Sequence, residues 1–208
     1  MLAVLGLLVF VVLARAFVRG GQIVAFDDNV ARWVAHGVPS SIQWVARIFT
    51  WLGGAVGTAV VTGSAVVVLW RASRHTDAVY VAGAEIGITV LVAVLKAVYE
   101  RARPDLGSPI ALPHSYSFPS GHAATAVVLN GALGLLAAER ARSPLRAAAW
   151  IAGSAVLALA IGASRVLLDV HFVSDVVAGF AVGLAWLCCC AIVRELMPAA
   201  RREGPTTG

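Results

Sequence analysis

The sequence predicts an all-α membrane protein, a bundle of six transmembrane helices with short interfacial helices in the first outer connector. Hydrophobic residues make up 60% of the 208 residues and charged residues only 13%, and the mean hydropathy is +0.86. A soluble domain of this length could not cover so much apolar area with polar surface. Since one span needs about 20 apolar residues, the chain has room for roughly six helices with short connectors.

The order of the helices follows from six apolar runs. The first run has neither a basic leading region nor a small-residue cleavage site, so we expect a retained helix rather than a signal peptide. We expect one domain over residues 1–198 and a disordered, cytoplasmic polar tail over residues 199–208. The six runs cover residues 2–18, 53–70, 79–98, 122–138, 147–162 and 176–192.

Between the first two runs, residues 26–51 mix charged and aromatic side chains with aliphatic ones. This pattern is typical of helices that lie at the membrane interface, and Pro39 with Ser40 is expected to divide the stretch into two helices. In the sixth run, Gly179 and Gly183 form a small-xxx-small pair, which predicts close packing against a neighbouring helix.

The net charge of +5 comes from basic residues that stand singly between apolar runs, an arrangement that does not suit nucleic acid. Arginines that lie near helix ends instead predict the orientation, because positive charge stays cytoplasmic. We therefore expect a multi-pass membrane protein with both termini cytoplasmic and residues 99–121 and 164–175 on the outer face. The arginines are Arg71, Arg74, Arg140, Arg142, Arg146, Arg194, Arg201 and Arg202.

Two cations are expected at the outer end of the third helix. Lys96 and Arg103 are seven residues apart, so on a continuous helix they would share a face, with Pro104 ending the helix. On their own, two such residues are also typical of basic side chains that extend to the interface.

A helix start is expected after Pro119. Ser120 is a suitable N-cap, and free backbone N–H groups at Gly121 would favour a bound anion. His122 would then face that anion, although an ordinary helix start with an interfacial histidine has the same pattern.

The third group begins with Ser164 and Arg165, and His171 and Asp175 follow with a four-residue spacing. On a helix this spacing places imidazole and carboxylate side by side, where the carboxylate can orient a histidine nucleophile. A surface His–Asp pair is the alternative. The topology brings all three groups to the same outer face, and ionisable groups within a membrane are usually functional.

Together these residues resemble the complete tripartite signature of the type 2 phosphatidic acid phosphatase superfamily. The resemblance implies a membrane lipid phosphatase that forms a phosphohistidine intermediate without a metal or other cofactor. The matching positions are Lys96-x6-Arg103-Pro104, Pro119-Ser120-Gly121-His122 and Ser164-Arg165-x5-His171-x3-Asp175.

The same resemblance implies a role for each residue. His171 is the expected nucleophile, Asp175 holds its other ring nitrogen, and His122 is the expected general acid. The phosphate oxygens would be bound by Lys96, Arg103, Ser120, Gly121 and Arg165. Partners would be a lipid phosphate or diphosphate and membrane lipids, with no nucleic acid.

Among substrates, undecaprenyl diphosphate is the first expectation, because an enzyme of the bacterial plasma membrane with an outward site could recycle the carrier released there during envelope synthesis. Phosphatidylglycerophosphate or phosphatidic acid follows. Vanadium-dependent haloperoxidases have a similar anion pocket, but they are soluble proteins, and the six apolar runs oppose that alternative. A membrane protein that only binds or transports a lipid phosphate is the non-enzymatic alternative.

Several residues near the signature are not fixed by it. The acidic ones are expected to form solvated or structural pairs with Arg101 or with the signature arginines, and the other two are candidates for contact with a headgroup. They are Glu100, Asp105 and Asp169, and His114 and Tyr116.

Overall fold

The computed structural model describes residues 1–104, 106–112 and 114–196. Asp105 and the expected tail 199–208 lie outside the described residues. Within them the chain forms eight helices. These are α1 (Leu2–Arg19), α2 (Gln22–Gly37), α3 (Ser40–Leu52), α4 (Ala55–Arg71), α5 (His75–Tyr99), α6 (Gly121–Ala138), α7 (Pro144–Leu167) and α8 (Val173–Leu196).

The all-helical prediction is confirmed, and each apolar run lies largely within one helix. In the described part, five helices are long and apolar enough to cross a membrane, and α3 with α4, bent by 48°, forms a sixth such unit. The break expected at Pro39 is present, since α2 ends at Gly37 and α3 begins at Ser40.

Helix α8 is packed between α1 and α6, and small residues make these contacts close. A Cβ atom on Gly179 would lie 2.5 Å from the carbonyl oxygen of Ser120, and one on Gly183 would lie 2.7 Å from that of Ala124. Gly6 of α1 approaches Ala181 in the same way. The packing predicted from the glycine pair is therefore present, and it fixes the start of α6 against α8.

One end of the bundle carries an ion-pair cluster. Asp77 at the start of α5 pairs with Arg74 at 2.7 Å and with Arg194 at 2.8 Å. Arg194 also pairs with Glu139 at the end of α6, at 2.7 Å. The start of α5 and the ends of α6 and α8 therefore meet at one end of the fold. The sequence predicted that these three helix ends lie on the same side of the membrane.

The opposite end is closed by the connector between α5 and α6. Buried Leu168 and Val170 pack with Ala46 of α3, and the partly buried Ile110 covers them. The connector is held to α3 by Arg47, whose Nη2 donates to the carbonyl oxygen of Pro109 at 2.9 Å. These contacts bring the α5–α6 and α7–α8 connectors together.

The prediction that Lys96 and Arg103 share a helical face is wrong. Helix α5 ends at Tyr99 because Glu100 takes a left-handed conformation with φ of 44°, so Arg103 lies in the connector. The two side chains still converge, because the connector turns back over the end of α5.

Candidate active site

His171 and Asp175 form the expected pair, although not on one continuous helix. His171 lies in the turn before α8, and Asp175 lies in the first turn of α8. The Nδ1 atom of His171 is 3.4 Å from Oδ2 of Asp175. This contact leaves Nε2 as the ring nitrogen that is available for attack.

Every oxygen of the Asp175 carboxylate is engaged, and the side chain is fully buried. Oδ2 accepts from the backbone N–H of Phe172 at 2.9 Å and from the Ser117 hydroxyl. Oδ1 accepts from Nη1 of Arg101 at 2.6 Å. The carboxylate is therefore fixed in one orientation, and it fixes the imidazole in turn.

Burial of His171 changes its protonation. The side chain is only 3% exposed, and this loss of solvation lowers its pKa to about 3, although Asp175 opposes the shift by favouring the imidazolium. The imidazole is therefore neutral at physiological pH, which is the state that a nucleophile requires.

Arg103 lies beside the free nitrogen of this nucleophile. Its Nη1 is 3.0 Å from Nε2 of His171 and donates to the carbonyl oxygen of Val170 at 2.7 Å. Its Nε donates to the carbonyl oxygen of Ser115 at 2.8 Å. Burial lowers the pKa of Arg103, yet a guanidinium keeps its charge in proteins.

Lys96 reaches the same place from the end of α5. Its ammonium donates to the carbonyl oxygens of Tyr116 and Ser117, the latter at 3.3 Å. The α5–α6 connector thus supplies carbonyl oxygens that position both cations. The sequence predicted that the two cations converge, but for a different reason, a shared helical face.

The start of α6 faces the cavity with His122. Ser120 is the N-cap, and its backbone N–H donates to the carbonyl oxygen of Asp175 at 2.9 Å. Its buried hydroxyl has no hydrogen-bond partner among the described residues. Helix starts carry free N–H groups that favour anions, so Ser120 and Gly121 fit a bound oxyanion.

His122 is seated against the bend between α3 and α4. A Cβ atom on Gly54 would lie 3.6 Å from Nε2 of His122, and one on Gly53 would lie 2.2 Å from Cγ2 of Ile161. Glycine at both positions therefore lets this bend lie close to the histidine and to α7.

Arg165 comes from the last turn of α7. Its Nη1 donates to the hydroxyl of Thr50 in α3, and its Nε has no hydrogen-bond partner within the described ranges. A buried guanidinium with an unused donor is suited to a further oxygen ligand.

These side chains surround one cavity of about 790 Å³. It extends from the cationic end along α4 and α5 as far as Glu85, and exposed aliphatic residues such as Ile86 and Val90 line its lower part. A phosphate at the upper end would therefore be continuous with a space suited to a lipid chain. Of the proposed site residues, those lining the cavity are Lys96, Arg103, Gly121, His122, Arg165 and His171.

No group of three or more His, Cys, Asp or Glu side chains that could hold a metal ion occurs in the described ranges. The groups that face the upper end of the cavity are instead three cationic side chains and two imidazoles. This donor set suits an anion with several oxygens, such as a phosphate.

Sequence reasoning missed the residues that support Asp175. Arg101 is buried and joins Asp175 to Asp27 of α2, with its Nη2 at 2.8 Å from Oδ2 of Asp27. Ser117 and Ser174 complete this group. Sequence separations of 73 and 74 residues give no local pattern. The one weak signal was a charged residue two positions after the end of α5.

The residues outside the signature differ from one another. Arg101 forms ion pairs with Asp27 and Asp175. Glu100 is exposed and ends α5. Asp169 is buried and accepts from the backbone N–H of Leu106 at 3.2 Å, a structural role. His114 and Tyr116 are exposed, and a headgroup contact remains a prediction.

Fold and site together define a class, a membrane-spanning helical bundle with a buried histidine–carboxylate pair, a second histidine and three cations around one cavity. Comparison with known families identifies the chain more closely. The PAP2 superfamily matches residues 77–197, and the chain belongs to this superfamily, as the resemblance predicted.

A curated relative is phosphatidylglycerophosphatase B of Bacillus subtilis (strain 168), which is 39% identical over 93 residues. That match covers 44% of this chain, and it spans 45% of the relative's length.

Two solved structures have a similar fold. The crystal structure of a transmembrane PAP2-type phosphatidylglycerolphosphate phosphatase from Bacillus subtilis matches with a TM-score of 0.82 and 25% identity, covering 94% of this chain and 97% of that chain. The structure of Aquifex aeolicus LpxE matches with a TM-score of 0.60 and 24% identity, covering 80% and 93%. The latter likeness concerns the fold alone.

Proposed function

We propose that this protein is a membrane phosphatase that releases phosphate from a lipid through a phosphohistidine at His171. The observation that carries the proposal is the position of His171, whose Nε2 lies 3.0 Å from Arg103 at the cationic end of a cavity that continues along α4 and α5. Membership of the PAP2 superfamily supports the same activity.

In the first step, Nε2 of His171 attacks the terminal phosphorus, and the bond from this phosphorus to the oxygen that stays on the lipid breaks. That oxygen is the alcohol oxygen of a phosphate monoester or the bridging oxygen of a diphosphate. Asp175 stabilises the imidazolium character that develops on the ring. His122 donates its proton to the departing lipid oxygen. Lys96, Arg103 and Arg165 stabilise the charge on the other phosphate oxygens, and this charge stabilisation is the main contribution expected in phosphoryl transfer.

In the second step, water attacks phosphorus and the bond between phosphorus and Nε2 breaks. His122, now neutral, accepts the proton of that water, which restores its starting state. Inorganic phosphate leaves, and the same two histidines serve both halves of the reaction.

The substrate is a phosphate carried by a membrane lipid. The sequence favoured undecaprenyl diphosphate, with phosphatidylglycerophosphate or phosphatidic acid second. The comparisons add weight to phosphatidylglycerophosphate, because the curated relative and one solved structure are named for it. All three lipids are therefore candidate substrates.

The test is phosphate release by purified protein in the presence of EDTA, with undecaprenyl diphosphate, phosphatidylglycerophosphate and phosphatidic acid assayed in parallel. We expect turnover of at least one lipid, with ³²P trapped on the protein by rapid acid-free quenching when labelled substrate is used. His171→Ala should abolish both signals. Folded wild-type protein that binds these lipids without turnover would favour the binding or transport alternative.

A further inference from the structure

Asp175 is joined to the interfacial helix α2 by a buried chain of charged groups. Arg101 lies between two carboxylates, with Nη1 at 2.6 Å from Oδ1 of Asp175 and Nη2 at 2.8 Å from Oδ2 of Asp27. The Arg101 side chain is 5% exposed and both carboxylates are fully buried. None of these contacts involves the cavity directly, so Arg101 and Asp27 would not touch substrate.

The surroundings of Arg101 fix its position. Its guanidinium lies between two aromatic rings, 4.5 Å from the centroid of Phe17 and 4.2 Å from that of Phe172. Asp27 also accepts from the backbone N–H of Ser174 at 3.0 Å and from its hydroxyl. Ser174 is the second residue of α8, so this group holds the helix turn that carries Asp175.

The negative charge of Asp175 thus acts on His171 directly, and the positive charge of Arg101 acts on His171 through Asp175. Asp175 favours the imidazolium form of His171, whereas Arg101 beside Asp175 weakens that effect. Asp27 in turn neutralises part of the charge of Arg101. The balance matters because His171 must be neutral before attack and cationic afterwards.

We propose that Arg101 and Asp27 are positioning residues, which set the orientation and the charge of Asp175 and through it the reactivity of His171. The effect on catalysis rests on the proposed function. The effect on the titration of His171 does not, because it can be measured without substrate. Neither residue belongs to the signature that identified the site.

The discriminating measurement is the titration of His171, followed by ¹⁵N NMR of histidine-labelled protein in micelles. The chain has five histidines, and His171→Gln assigns the signal. Groups that also face His171 are Asp175, Arg103 and Lys96, with His122 across the cavity. They are unchanged in each variant below, so differences report on the Asp27–Arg101 pair.

The two single variants should not shift the pKa of His171 in the same direction. Arg101→Gln leaves Asp175 with less compensation, so the pKa of His171 should rise. Asp27→Asn leaves Arg101 fully available to Asp175, so the pKa should stay or fall. Asp27→Asn/Arg101→Gln, which keeps hydrogen-bonding groups and removes both charges of the Asp27–Arg101 pair, should resemble Arg101→Gln and protects the test against a single variant that fails to fold.

Catalysis supplies the second readout. Arg101→Gln should slow phosphorylation of His171 about 10- to 100-fold, since supporting residues and small misplacements have effects of this size. Asp28→Asn makes the same charge change as Asp27→Asn at the next position of α2, so it is the matched control and should behave as wild type.

Two results would overturn the proposal. One is a His171 titration that is identical in all folded variants, and the other is a shift in the same direction for both single variants, which would indicate a general structural change. If wild-type protein turns over no lipid phosphate, the proposed function fails, while the substrate-free titration still decides between these outcomes for the pair.

Discussion

At the scale of single residues, the site separates attack from protonation. His171 is buried beside Asp175 and Arg103, which suits a neutral nucleophile, whereas His122 lies at the helix start across the cavity. Because the two imidazoles lie on different elements that line one cavity, one can attack phosphorus while the other acts on the leaving oxygen. This separation is what a general acid and a nucleophile require.

The role of His122 predicts a dependence on the leaving group. His122→Asn should slow turnover of a lipid phosphate about 10²- to 10⁴-fold, because an alkoxide departs poorly without a proton. An aryl phosphate such as p-nitrophenyl phosphate has a leaving group that needs little protonation, so phosphohistidine formation from it should be much less affected. The measurement is the pre-steady-state burst of nitrophenolate compared with single-turnover cleavage of the lipid. An equal loss on both substrates would contradict the assignment.

His171 also predicts a pH dependence of stability. Its folded pKa of about 3 lies below the unfolded value of about 6.5, so the unfolded chain binds the additional proton between these values. The contribution of neutral His171 to the free energy of unfolding is therefore complete above pH 6.5. It decreases as the pH falls, and at pH 5 it is smaller by about 2 kcal/mol.

The check compares wild type with His171→Asn by denaturant unfolding in micelles at pH 7.5 and pH 5. Wild type should lose more stability on acidification than the variant, because only wild type has this group. Equal losses in the two proteins would show that His171 is not held neutral by the fold.

At the scale of elements, the site depends on how closely α8 approaches α6. Gly179→Val should destabilise the protein by about 1–3 kcal/mol, because its side chain would overlap the backbone at Ser120. A Cβ atom there would lie 2.5 Å from the Ser120 carbonyl oxygen. Turnover should also fall, by roughly 10²-fold, since Ser120 and His122 would shift relative to His171.

Gly153→Val is the matched control for this change. It makes the same substitution within α7 at a position where a Cβ atom meets nothing within 4 Å among the described residues. Thermal unfolding and lipid turnover should be close to wild type. Similar losses in the two variants would mean that valine is disfavoured in these helices generally, rather than at the α6–α8 contact.

The elements also show which sequence arguments hold. Apolar runs and the Pro39 break predicted the helices well, because burial in lipid imposes a length and a composition on each span. The prediction that Lys96 and Arg103 share a helical face was wrong, because the left-handed Glu100 ends α5 before Arg103. Hydropathy has no information about such a backbone change, since Glu100 is an ordinary residue type at a helix end.

At the scale of the whole molecule, the signature residues were identifiable because a resemblance assigned them together. The supporting group of Asp27, Arg101, Ser117 and Ser174 could not be found in this way. Its contacts join segments 58 to 147 residues apart, and only packing of α2 against the start of α8 brings them together. Charge alone suggested an interfacial role for Asp27, whereas the structure buries it.

The orientation of the protein in the membrane is a prediction about the whole molecule. The ion-pair cluster of Asp77, Glu139 and Arg194 lies at the end of the bundle opposite His171. Met1 and Ile192 line a common cavity at that same end, so the first residue and the end of α8 are on one side. The positive-inside rule then predicts that this end is cytoplasmic and that the site faces outward.

Cysteine labelling in intact cells tests the orientation. With Cys188, Cys189 and Cys190 replaced by alanine, Leu106→Cys places a thiol on an exposed residue of the α5–α6 connector, and Arg142→Cys places one on the exposed α6–α7 connector. A membrane-impermeant maleimide should label the first in intact cells and the second only after permeabilisation. The reverse pattern would place the site at the cytoplasmic face, where a carrier lipid released outside would be out of reach.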